Sequence, residues 1–195
     1  MRSTLRAIWF LVPAPLFRST NVAQQFQADE AQAEPIVSTS TAPLSLSHPQ
    51  GLGSVHFVWA HDRFDHTIDF DGRQLACRNG CGEQAWPESP PIQQLSIESI
   101  DGHDVALGVG CAGTSHWSLS VEPTADGFRF DWACRAKETP AQLGTTYQDS
   151  AAIEIDPAAA SLVAADDASK RIQPDGASSG GGTYRWCYTV RCRSE

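Results

Sequence analysis

HWSLSVEPTADGFRFDWAC, residues 116–134, decides the fold. On either side of an Asp-Gly pair at 126–127, large apolar residues occupy every second position. A period of two is the signature of a strand with one buried face. Folded back as a hairpin, the two runs set Trp117, Leu119 and Val121 against Phe130, Trp132 and Cys134.

The same pattern recurs outward from that stretch. SVHFVWAH (54–61) places Val55, Phe57 and Trp59 on one face. FDHTIDF (64–70) turns Phe64, His66, Ile68 and Phe70 inward and Asp65, Thr67 and Asp69 outward. Asp71-Gly72 reads as a two-residue turn, whose central positions both need positive φ. That turn sets Ile68 opposite Leu75 and His66 opposite Cys77. LSI (95–97) and VALGV (105–109) flank another Asp-Gly at 101–102. A two-residue loop there would oppose Val105 and Glu98. A three-residue loop, Ile100-Asp101-Gly102, is therefore expected, pairing Ile97 with Val105 and Leu95 with Leu107. TYRWCYTVRC (183–192) alternates again, after a glycine-rich hinge at 178–182. Asp156 as cap and Pro157 at a first helical position allow one short helix, with a strand over 160–165 as the alternative. The fold expected is all-β: an antiparallel β-sandwich, or a partly open barrel, with at most one short helix.

The chain has 195 residues, room for one ordinary domain. Residues 18–50 are rich in Ser, Thr, Ala, Gln and Pro, and are expected to form a flexible arm. The division expected is a leader over 1–50 and a sandwich over 51–195, with order beginning near Gly51. Arg2, Arg6 and the apolar run at 7–17 resemble a poor export signal, interrupted by Pro13 and Pro15. The chain is read as cytoplasmic, with export as the alternative. It carries 14 basic and 23 acidic residues, a net charge of −9. Residues 1–50 balance, so this charge sits on 51–195. Nucleic acid is thereby disfavoured as a partner, and no stretch is long and apolar enough to span a membrane.

Chemistry concentrates in WAHDRFDH (59–66). His61 with Asp65, completed by His116 from another strand, has the ligand types of a zinc or acid–base site, with His66 near by. The spacing matches no metalloenzyme motif. His61 and His66 have opposite parity and face opposite sides of one strand. The favoured reading is a strand pair's polar rim, with no metal and no cofactor.

The six cysteines allow 15 disulfide pairings. Cys187 and Cys192 differ in parity and point apart. Cys111 and Cys134 read as small core residues, and Cys77 and Cys81, astride the Asn79-Gly80 turn signal, as two loop thiols, with a disulfide or a metal pair as the alternatives. Trp86, in the proline-stiffened AWPESPP (85–91), is the tryptophan that alternation does not turn inward, and so the candidate ligand-binding residue.

The stretches WPESPPIQQLSIE (86–98), LGVGCAGTSHWSLSVE (107–122), FRFDWACR (128–135) and LGTTY (143–147) together resemble a bacterial family of no known function. Its blocks run W-P-x-S-P-x-x-Q, V-G-x-A-G-x-S-H-W-S-x-S-V-E, F-D-x-A-C-R and L-G-[ST]-x-Y, in this order. The likeness spans about residues 54–150 and adds no chemistry. The sequence reading is thus a non-catalytic binding or interaction module for a carbohydrate or protein ligand. The alternatives are a small metal- or acid–base-dependent enzyme using His61, Asp65, His66 and His116, and a structural accessory domain. Fold alone does not choose among them.

Overall fold

A computed structural model of the chain describes residues 40–80, 84–166, 168–176 and 179–193. These residues form thirteen strands in three antiparallel sheets, with no helix among them. The first sheet runs β1 (Leu44–Ser47), β2 (Ser54–Ala60), β3 (Arg63–Phe70) and β4 (Arg73–Ala76) in that order. The second is built from β5 (Gln94–Ile100), β6 (His103–Ala112), β7 (Ser115–Pro123), β8 (Gly127–Ala136), β10 (Ile153–Ala159) and β13 (Gly182–Cys192). Its order is β10-β13-β8-β7-β6-β5. A small third sheet joins β9 (Thr145–Gln148), β11 (Ser161–Asp166) and β12 (Ser169–Gln173) in the order β11-β12-β9. None closes into a barrel, and the architecture is a β-sandwich.

The core lies between the first two sheets. Val55, Phe57, Ile68 and Phe70 pack from one side, and Val121, Phe128, Phe130, Trp132, Tyr188 and Val190 from the other. Each such side chain contributes on the order of 1.5–3 kcal/mol through burial. In the central hairpin Trp117 pairs with Cys134, Leu119 with Trp132 and Val121 with Phe130, as its alternation requires.

Two of the three Asp-Gly pairs form primed two-residue turns. Asp71 and Gly72 have φ of 54° and 81°, and Asp101 and Gly102 have φ of 52° and 82°. At the second turn the three-residue loop is not formed. Glu98 pairs with Val105, Ile97 with Ala106 and Leu95 with Gly108. The reason is tertiary. The chain through Pro91 and Ile92 crosses the inner face of β6 so closely that a Cβ on Gly110 would lie 1.8 Å from the Pro91 carbonyl oxygen. One on Gly108 would lie 2.8 Å from Ile92. The small residues of β6 must face inward, which sends Leu107, Val109 and Cys111 outward. At the third pair Gly127 is a strand residue. A Cβ there would lie 2.1 Å from the Val190 carbonyl oxygen, so glycine is required for close strand approach.

Two other expectations change. Order begins at least seven residues before Gly51, since β1 pairs with β2 and buries Leu46 completely. His48 then fastens the end of β1: its Nε2 donates to the Thr124 carbonyl at 2.8 Å and its Nδ1 accepts from the Gln50 amide. The rest of the expected leader, residues 1–39, lies outside the described residues. The stretch proposed as a helix is edge strand β10, where Pro157 sits within a register shift between Asp156 and Ala159. An edge strand tolerates proline because no neighbour needs its missing N–H.

Candidate functional site

The WAHDRFDH residues do not converge. His61 is an exposed turn residue at φ 60°, between β2 and β3. Asp65 points out from the first sheet, where the Asn79 side-chain amide donates to it at 2.6 Å. His116 points out from the second sheet, opposite Arg135. Both sheets of the sandwich therefore stand between Asp65 and His116, a core about 10 Å thick. Among the described residues no cluster of His, Cys, Asp and Glu side chains assembles for a metal. Cys81 lies outside the described residues.

His66 faces inward and is buried. Its Nε2 pairs with the Tyr147 hydroxyl at 2.7 Å. That hydroxyl pairs with the Tyr188 hydroxyl at 2.8 Å, to which Trp132 Nε1 also donates at 3.1 Å. Burial lowers the His66 pKa to about 3 and pushes both tyrosines up. The neighbouring Cys77 backbone donates to the His66 carbonyl, and burial raises the Cys77 thiol to about 12. The cleft that borders Tyr147 holds about 80 Å³, well below the hundreds of cubic ångströms of ordinary ligand sites. This chain of groups satisfies the polar atoms of an aromatic core and links all three sheets. It offers a substrate no access.

Trp86 is half-buried. It packs edge-on against Trp117, with ring centroids 6.5 Å apart, and its carbonyl accepts from Gln142. It closes one end of the core instead of standing in solvent.

The concave feature lies away from all of these candidate residues but His116, on the outer face of the second sheet. Strand register lines up outward side chains in rows. One row runs Ser96, Leu107, Ser120, Asp131 and Cys187; the next runs Gln94, Val109, Ser118, Ala133 and Arg185. The short side chains of Ser118, Ser120 and Ala133 leave a groove of about 500 Å³ between Leu107 on one side and Arg185 and Cys187 on the other. Leu107 and Val109 form an aliphatic ridge, 36% and 49% exposed. Beyond it lie depressions of about 490 and 350 Å³, bordered by Gln93, Gln94 and Ser96. Within the groove Arg129 is held by Asp131 at 2.9 Å and donates to Cys187 Sγ at 3.2 Å. Desolvation raises the Cys187 thiol, and Asp131 adds to this while Arg129 opposes it. A thiol so placed stays protonated and is a poor nucleophile.

The signal for this face was present in the S-x-S of 118–120 and in Ala133. It becomes a groove only because β13, from the far end of the chain, lies beside β8. Comparisons with known protein families, curated proteins and solved structures gave no match.

Proposed function

We propose that the chain is a non-catalytic binding module whose ligand is a carbohydrate held on the outer face of the second sheet. The observation that carries this reading is the groove of about 500 Å³ floored by Ser118, Ser120 and Ala133 and walled by exposed Leu107. Its volume falls in the range of small-ligand sites. Exposed aliphatic carbons beside hydroxyl and amide side chains match a sugar, whose C–H faces need apolar contact and whose hydroxyls need donors and acceptors. The separation of His61, Asp65 and His116, and the enclosure of His66, support a site without acid–base machinery. The stretch that resembles the family of no known function, about residues 54–150, includes the groove's ridge and floor.

The test is calorimetric titration against a panel of soluble oligosaccharides, using the parent and Ser118→Trp. Ser118 is exposed, so an indole there fills the groove without entering the core. Binding by the parent, abolished in Ser118→Trp at unchanged melting temperature, is the expected result. Binding that ignores the substitution would move the ligand elsewhere.

A further inference from the structure

One end of this face is cationic although the molecule is acidic. The chain is acidic, at −9, and several of its described cations are neutralised locally. Arg129 is held by Glu122 and Asp131, Arg191 by Asp126 and Glu154, Arg78 by Glu88 and Asp166, and Lys170 by Asp149. Among the described residues Arg135, Lys137 and Arg185 are in no such pair, and neither, away from this end of the sheet, are Arg171 and Arg193. The first three are all exposed, and they cluster at one end of the face. Arg185 lines the groove and pairs with Ala133. Arg135, two residues on along β8, lies diagonal to it and opposite His116.

We infer that the ligand is an acidic oligosaccharide, its sugar rings along the Leu107–Val109 ridge and its carboxylates on Arg185 and Arg135. This rests on the reading of the groove as a saccharide site. Two arginines without carboxylate partners among the described residues supply planar donor forks of the geometry a carboxylate accepts. The shared lining residues make the three depressions continuous: Leu107 and Ser118 border two of them, and so do Gln94 and Val109. A continuous trough of this kind fits several linked units better than one. The acidic remainder of the surface limits the length of chain accepted. Beyond a screening distance of about 8 Å it is not felt at physiological salt, but a long polyanion would reach past the cationic end into it.

The experiment titrates the full chain with a short oligogalacturonate and with its methyl ester of the same length. A sulfated neutral oligosaccharide separates carboxylate from sulfate recognition. Arg185→Gln, Arg135→Gln, the double variant and Ser118→Trp are compared with the parent. The acid should bind at least about ten-fold tighter than the ester, the size of effect expected from charge-assisted hydrogen bonds. That preference should shrink at high salt and fall to within about two-fold in the double variant. Ser118→Trp should abolish binding of both forms. Equal binding of acid and ester, or a preference for the sulfated sugar that survives the double arginine variant, overturns the inference and leaves the saccharide site standing. Acid binding that Ser118→Trp does not touch overturns both.

Discussion

His66 shows what one buried side chain costs and contributes. Its folded pKa of about 3 lies below the ordinary 6.5. Between these values the unfolded chain binds a proton that the native one refuses, so stability falls as pH falls. The contribution is fully present above pH 6.5 and lost on reaching about pH 3, an effect of up to about 5 kcal/mol. Urea unfolding across this range should give a steeper acid limb for the parent than for His66→Phe, and parallel limbs would mean that His66 is not buried neutral. The thiols divide by the same logic. Cys134 is buried and raised to about 12, as its place in FRFDWAC implies. Cys111 has the parity of Leu107 and Val109 and was expected in the core with them, but the whole parity class faces out and Cys111 is exposed. N-ethylmaleimide followed by mass spectrometry should label Cys111 quickly and spare Cys134 and Cys77 until the protein unfolds. Early labelling of Cys134 would contradict this packing.

At the level of strands, periodicity told which residues share a face but not always which face is buried. In the central hairpin one parity is large and apolar and the other polar, so the choice was legible. In β6 the outward class is Leu107, Val109 and Cys111, and the inward class Ala106, Gly108 and Gly110. Hydrophobicity favours burying the larger set. The crossing of Pro91 over Gly110 reverses that, and no local pattern announces a crossing. The same distinction separates two kinds of glycine. At Gly72 a Cβ would meet nothing within 4 Å, so Gly72→Ala carries only the backbone penalty of φ 81°, roughly 1–2 kcal/mol. At Gly110 the added carbon must displace the Pro91 backbone. Gly110→Ala should therefore destabilise by more than Gly72→Ala in thermal unfolding, beyond the usual 1–3 kcal/mol or so of overpacking. A smaller effect at Gly110 would show that the 86–92 segment yields easily.

For the molecule as a whole, the all-β architecture was legible because strand after strand repeats one simple alternation. The candidate site was not, because its walls come from β6 and β13, separated by most of the sandwich sequence, and because histidines drew attention to a rim that the fold splits between opposite surfaces. The two-sheet core also has an optical consequence. Trp186 lies 6.1 Å from both Trp132 and Trp117, stacked on the first and edge-on to the second. Indoles this close exchange excitation before they emit. Emission from these three residues therefore belongs to the cluster and not to any one of them, and its polarisation is scrambled by energy migration. Time-resolved anisotropy should show a fast depolarising phase in the parent that slows in Trp186→Phe, which removes the shared member. The core thus carries a built-in reporter: light absorbed at one sheet position leaves from another only while the strands hold their register.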